Sequence, residues 1–252
     1  MRLTLVIMRT LLKIPYGLRR VTGTGAFGKN SAVAAGTPRQ EGTNALKAAL
    51  WSHHVKQYNA SSCSVASVVA VINAIRAVHG HGGAPISQMD ILETVDAVNW
   101  KARMGPEGDN GRRGLPLPLL GEVVARSLEA YHLDVRGVET VQAVKESKKA
   151  GRIKAALKRR LADFETRGTG LIIAHFDQGA YVPELNIPHI SPVGAFDTAT
   201  GEVTMLDVDP DQPHPYRVSF DTFYRGLASD YHHVFRPFGY RSGGYVYVAL
   251  EG

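Results

Sequence analysis

The single cysteine of this 252-residue chain, Cys63, lies where a nucleophile would be activated. It follows a polar segment, residues 57–62, and begins a stretch, residues 63–78, whose apolar side chains recur at helical spacing. Free amide N–H groups and the helix dipole favour an anion at a first helical turn, so a thiolate would be stabilised there. Ser61 and Ser62 offer hydroxyl groups to cap this helix. The alternative is that Cys63 is a small buried apolar residue, as free cysteines often are.

Two later residues favour the nucleophile. His189 stands at the entry to an apolar strand, and Asp207 ends the next predicted strand, with a turn at residues 199–201 between them. Alone, such a histidine is more often structural and such an acid is usually a turn former. Because hairpin-paired strands are adjacent, Asp207 is expected to orient His189, and His189 to take the proton of Cys63. Gln57 is predicted to join the Cys63 amide as a donor to an oxyanion.

The helices and strands that must position these residues are predicted from the spacing of apolar side chains, which changes along the chain from helical to strand-like. Helices are predicted first and antiparallel strands later, and a Gly- and Pro-rich loop at 105–118 interrupts the helical part. This order predicts an α+β fold of two packed lobes, a helical N-terminal lobe with the Cys63 helix and a C-terminal sheet lobe. The predicted helices are Ala45–Tyr58, Cys63–Val78, one starting near Ser87, Leu119–Tyr131 and Lys145–Leu161; the strands are Gly170–Phe176, Ser191–Asp197, Val203–Val208 and Tyr245–Leu250.

The net charge of +6 belongs to the start of the chain. Residues 1–45 hold seven basic side chains and one acid, which leaves 22 of each sign in the rest. We therefore expect a basic, flexible leader over residues 1–44, a catalytic domain over 45–252, and no nucleic-acid partner for the neutral body. No stretch has the 18 or so apolar residues of a membrane span, and one cysteine excludes an intramolecular disulfide. A cytoplasmic location is expected, with a presequence or export signal as the alternative for the leader.

The segments around these residues resemble the phytochelatin synthase family in its short prokaryotic form. The similarity covers Gln57–Ser67 with the following Val71–Ile75, the strand segments His175–Asp177 and His189–Gly194, and Leu206–Val208. The chain departs from the family pattern at Ser64, where a glycine is usual, and at Asp209-Pro-Asp211, where a basic residue is usual. Metal sensing through the cysteine-rich C-terminal extension of the plant enzymes is not expected.

The resemblance implies a papain-like fold and cleavage of the Cys–Gly amide of glutathione. By this resemblance Cys63 would be the nucleophile and His189 the general base and acid. Asp207 would orient His189, and Gln57 would donate a hydrogen bond to the oxyanion. Glycine would leave, and the γ-glutamylcysteinyl group would pass to water or to a second glutathione. No cofactor is implied for this chemistry, and a heavy-metal ion would enter only as a thiolate complex of glutathione.

Other functions remain open from the sequence. Cys63, His189 and Asp207 could act together on another peptide or protein, as the acidic residues Asp209 and Asp211 suggest. A non-catalytic protein could instead use the leader and the basic helix, residues 145–161, at a nucleic acid or an anionic membrane, although a solvated helix face explains those charges more simply. Metal catalysis is not expected, because the histidine pairs lack the spacing of a metal-ligand motif; these are His53-His54, His79-Gly-His81 and His232-His233.

Overall fold

A computed structural model of the chain describes residues 44–181, 187–231, 235–236 and 239–251, together with residues 31–32 and four single positions, 7, 11, 14 and 18. Most of the predicted flexible leader therefore lies outside the described residues. So does the pair His232-His233.

Helices and antiparallel strands share the chain, which confirms the predicted α+β class. The helices of the part from residue 44 onward are α1 (Ala45–Ser52), α2 (Cys63–Val78), α3 (Gln88–Thr94), α4 (Trp100–Met104), α5 (Leu117–Ala130), α6 (Lys148–Arg167) and α7 (Phe220–Leu227). The strands are β1 (Ser31–Ala32), β2 (Gly137–Gln142), β3 (Gly170–Asp177), β4 (Pro188–Asp197), β5 (Glu202–Met205), β6 (Tyr216–Ser219) and β7 (Gly244–Ala249).

One antiparallel sheet runs through the molecule in the order β1-β6-β5-β4-β3-β7-β2. Two apolar clusters pack against it. The first joins α2, α3 and α5 to residues such as Leu171, Ile173 and Val246, and the second joins α6 and α7 to the intervening residues, such as Ile172 and Ala174. Successive residues of a strand therefore belong to different clusters, because their side chains point to opposite faces of the sheet.

Helix α2 has the bounds that the apolar spacing predicts. Its residues from 64 to 75 are all buried, which explains why the signal is strong. Helix α3 begins with a capping box in which the Ser87 hydroxyl accepts from Asp90 N–H and the Asp90 carboxylate accepts from Ser87 N–H. The basic helix α6 begins and ends later than predicted, at Lys148 and Arg167.

Several elements were not predicted, namely β1, which falls in the predicted leader, and β2, β6, α4 and α7. Strand β2 lies at the edge of the sheet and has no buried residue, so it lacks the apolar alternation that marks a strand. Within the described ranges, no helix combines the length and the apolar character needed to cross a membrane.

Candidate active site

Cys63 is the first residue of α2 and is partly exposed. The expected hydroxyl cap is wrong: Ser62 occupies the cap position, but its side chain makes no capping hydrogen bond. Its Oγ instead bonds to Asn59, donating to the carbonyl at 3.0 Å and accepting from the N–H at 3.0 Å. No described residue accepts a hydrogen bond from the Cys63 amide, so this N–H is available to a ligand.

The turn before Cys63 is held from both sides. Asn59 accepts from the Ser61 N–H at 2.7 Å and donates through Nδ2 to the Met104 carbonyl at 3.0 Å. On the other side, the Ser67 hydroxyl lies 2.7 Å from the carbonyl of Cys63 and 3.1 Å from that of Ile190 on β4. These contacts fix the first turn of α2 against the strand that carries His189.

His189 is the second residue of β4, as expected for a histidine at a strand entry, and it is buried. It pairs across the sheet with Phe176, whose ring meets the imidazole edge-on with the ring centres 5.4 Å apart. Its Nε2 lies 2.7 Å from Asp207 Oδ1. Since Nε2 is engaged by the acid, Nδ1 is the nitrogen left to face the thiol.

The prediction that Asp207 ends β5 is wrong, because the strand stops at Met205, two residues before Asp207. Leu206 N–H still donates to the Pro192 carbonyl at 3.0 Å, so the chain continues beside β4. A register shift at Gly194 allows this approach, since a Cβ on that glycine would lie 2.5 Å from Leu206 Cγ. The hairpin turn at Asp197 to Gly201 forms as predicted, with the Asp197 carboxylate accepting from two N–H groups of the turn.

The electrostatics of the pair follow from burial and mutual charge. Burial raises the pKa of Asp207, but the His189 charge and hydrogen bond, with the Asp209 N–H and the Tyr216 hydroxyl, lower it to about 2. Burial lowers the pKa of His189, but the Asp207 charge and hydrogen bond, with a smaller contribution from Cys63, raise it well above its ordinary value. The arrangement therefore favours an imidazolium between a carboxylate and the Cys63 sulfur.

Gln57 lies beside the acid. Its backbone N–H donates to the Val208 carbonyl at 2.8 Å, which places it next to Asp207. Its Oε1 is buried without a partner, and its side chain forms no hydrogen bond to any residue in the described ranges. A side-chain amide with no internal partner is free to meet a substrate.

Three neighbours of Asp207 were not identified from the sequence. The Tyr216 hydroxyl donates to Asp207 Oδ2 at 2.7 Å, while Lys56 Nζ and His54 Nε2 lie 2.6 and 3.1 Å from the Asp207 carbonyl oxygen. The alternation Tyr216-Arg-Val-Ser219 could have indicated β6, but not its contact with the acid. Lys56 stands directly before Gln57, and only the pairing of their segment with residues 207–208 shows its position.

His175, part of the segment that resembles the family, is fully buried beside β4. Its Nε2 donates to the Leu115 carbonyl at 3.1 Å and its Nδ1 accepts from the Tyr231 hydroxyl at 2.7 Å. Burial, above all, lowers the pKa of His175 to about 4, so this imidazole is neutral near pH 7. Within the ranges described, no group of three His, Cys, Asp or Glu side chains is placed to hold a metal ion.

No protein-family model and no curated protein matches this chain.

Proposed function

We propose that this chain is a papain-like cysteine amidase or acyltransferase that cleaves the Cys–Gly amide of glutathione through a thioester on Cys63. The observation that carries the proposal is the buried His189–Asp207 pair, 2.7 Å between Nε2 and Oδ1, with Cys63 close enough to contribute to the raised pKa of the imidazole. The choice of glutathione as the substrate rests on the resemblance of the site segments to the phytochelatin synthase family.

The first half of the reaction forms the acyl-enzyme. The Cys63 thiolate attacks the carbonyl carbon of the Cys–Gly amide, and negative charge develops on the carbonyl oxygen. The free Cys63 N–H and the unpaired Gln57 side chain supply donors to that oxygen. The C–N bond then breaks, the His189 imidazolium gives its proton to the departing glycine nitrogen, and a γ-glutamylcysteinyl thioester remains.

The second half restores the thiolate. Neutral His189 takes a proton from water, or from the amino group of a second glutathione, which attacks the thioester carbon. The C–S bond breaks and leaves γ-glutamylcysteine, or γ-glutamylcysteine joined to glutathione. We propose water as the acceptor.

Lys56 supports an anionic substrate at this site. Its Nζ donates to the carbonyls of Asp207 and Gln212, each at 2.6 Å, so an ammonium group lies at the acid although the usual basic residue after it is replaced by Asp209. The pKa of Lys56 is lowered, because burial is the largest effect and the charges of Asp207 and Asp209 offset it only in part. Glutathione carries two carboxylates, which a cation at this place would attract.

The proposal is tested by incubating the purified chain with reduced glutathione and following glycine release. We expect release from the wild type, none from Cys63→Ala, and γ-glutamylcysteine in excess over the transpeptidation product. No release from the wild type, or equal release from the variant, would remove the proposal. A dominant transpeptidation product would keep the nucleophile and correct the acceptor.

A different peptide substrate is favoured by one feature, the Asp209 carboxylate, which lies near Lys56 and accepts from Gln178 Nε2 at 3.2 Å. Cysteinylglycine, which lacks the γ-glutamyl group, and a panel of unrelated peptides would discriminate. Faster Cys63-dependent cleavage of one of these than of glutathione would move the assignment to a general cysteine peptidase.

A non-catalytic anion-binding role has less support from the structure. Three cations of α6 face aromatic rings of the body: Lys154 lies over Tyr224 at 4.9 Å, Lys158 over Phe220 at 4.6 Å and Arg160 over Tyr247 at 4.3 Å. Their engagement reduces the charge that this helix offers to a polyanion. Such a protein would also be indifferent to iodoacetamide, which alkylates activated thiolates rapidly.

A further inference from the structure

The Asp207 carboxylate is held at both oxygen atoms. Oδ1 accepts from His189 Nε2 at 2.7 Å and from the Asp209 N–H at 2.9 Å, and it lies 3.4 Å from the Ser191 hydroxyl. Oδ2 accepts from the Tyr216 hydroxyl at 2.7 Å, and no other described residue donates to it. The whole carboxylate is buried. Tyr216 is therefore the group that fixes the second oxygen.

Tyr216 is itself rigidly placed. It begins β6, pairs with Met205 of β5, and is fully buried with its ring edge-on to Tyr181 at 6.2 Å between centres. Burial, and next the Asp207 charge, raise the pKa of Tyr216 well above its ordinary value, so its hydroxyl keeps the proton that it donates. A fixed, protonated donor opposite an ionised oxygen forms a strong hydrogen bond.

Without this donor the carboxylate could turn about its Cβ–Cγ bond. Oδ2 would be buried and unsatisfied, and rotation toward other donors would take Oδ1 away from His189. The imidazolium would then lose its main stabilising charge, and the thiolate that it stabilises would be less populated.

We infer that Tyr216 is a positioning residue of the candidate active site, which locks the Asp207 carboxylate in the rotamer that orients His189 toward Cys63. The inference rests on the proposed function, in which His189 and Cys63 act as a pair. In this inference Tyr216 acts on the pair through Asp207, whose Oδ2 accepts its hydroxyl hydrogen bond.

The test is the pH dependence of Cys63 alkylation by iodoacetamide in the wild type and in Tyr216→Phe. This readout needs no substrate. Phenylalanine keeps the ring in the core, so the variant is expected to fold, which circular dichroism and thermal unfolding verify. The matched control is Tyr224→Phe, which removes the hydroxyl that donates to the Val144 carbonyl at 2.9 Å, away from Asp207.

We expect the wild type and Tyr224→Phe to react with the same pH profile. For Tyr216→Phe, the inflection should move to higher pH by roughly one unit, because a less stabilised imidazolium holds the thiolate less well. The other titratable groups around the pair stay in place in both variants; they are His54 and Lys56 beside the Asp207 carbonyl, Asp209 after it, Tyr181 against Tyr216, His175 near His189, and Tyr231 near Cys63. Glycine release by Tyr216→Phe should fall about 10- to 100-fold in kcat.

A folded Tyr216→Phe variant with an unchanged alkylation profile would overturn the inference. If that variant fails to fold, a wild-type profile for a folded Tyr216→Leu or Tyr216→Met variant, whose side chains also lack a donor to Asp207 Oδ2, would overturn it in the same way. Absence of glycine release from the wild type would instead remove the glutathione assignment, and the alkylation profiles would still decide the role of Tyr216.

Discussion

His189 Nε2 and Asp207 Oδ1 lie 2.7 Å apart in the interior, although 18 residues separate them along the chain. The β4–β5 hairpin creates this contact: the turn at Asp197 to Gly201 reverses the chain, and the register shift at Gly194 brings the segment after β5 beside the start of β4. The pair depends on backbone geometry several residues from either side chain.

Gln57→Ala is expected to lower catalysis without lowering stability. The Gln57 side chain has no hydrogen-bond partner in the described part of the chain, so removing it breaks no internal bond. If it donates to the oxyanion, kcat for glycine release should fall about 10²- to 10³-fold, with KM nearly unchanged. Parallel measurement of kcat, KM and the unfolding midpoint checks this. An unchanged kcat would remove Gln57 from the oxyanion site.

Acid should weaken the fold through Asp207. Its pKa is lowered to about 2, so the stability that it contributes is present above its unfolded value near 4 and is lost as pH falls through about 2. For such a shift the contribution is on the order of 2 kcal/mol. In urea unfolding between pH 2 and 6, the wild type should have the larger free energy of unfolding at pH 6, and its difference from Asp207→Asn should shrink as the pH falls. Asp96→Asn, which changes an exposed carboxylate, is the control and should track the wild type.

The Asp207→Asn variant should also alter the alkaline limb of the pH profile of glycine release. The pKa of His189 is raised, so its contribution to stability is fully present below about 6.5 and is lost as pH rises through the raised value. Asp207→Asn removes the main charge that raises this pKa. The alkaline limb of glycine release should therefore move to lower pH in any activity that remains. A limb at the wild-type position would show that Asp207 does not control the imidazole.

Much of the site could be predicted because its residues stand at element boundaries. Cys63 begins a helix whose apolar spacing is unbroken, and His189 enters a buried strand, so the helix and the hairpin were visible in the sequence. Tyr216 was missed because its contact with Asp207 depends on the register of β5 with β6, which pairs it with Met205. The end of β5 was misplaced because the strand pairing ends at Met205 with Val193, just past a register shift at Gly194, and a single glycine does not reveal that shift from sequence.

Gly194→Ala should displace Asp207 indirectly, through its neighbour Leu206. The new Cβ would lie 2.5 Å from Leu206 Cγ, and the branched side chain directly before Asp207 must move. We expect a loss of about 1–3 kcal/mol in the free energy of unfolding and slower glycine release. Gly151→Ala is the matched control, because nothing lies within 4 Å of a Cβ there in α6. It should stabilise the protein by about 0.5–1 kcal/mol. Equal stability of Gly194→Ala and the wild type would contradict the close approach.

The central claim, that Cys63 is a nucleophile, is tested most directly by trapping its acyl adduct. Wild-type protein is mixed with reduced glutathione, quenched in acid within seconds, and examined by intact mass and peptide mapping. We predict a γ-glutamylcysteinyl group on Cys63 that resists a phosphine reductant, which cleaves a disulfide but not a thioester. The group is removed by hydroxylamine, as a thioester is, and does not form on Cys63→Ala. Glycine release with no adduct on Cys63 and full activity of Cys63→Ala would contradict the account.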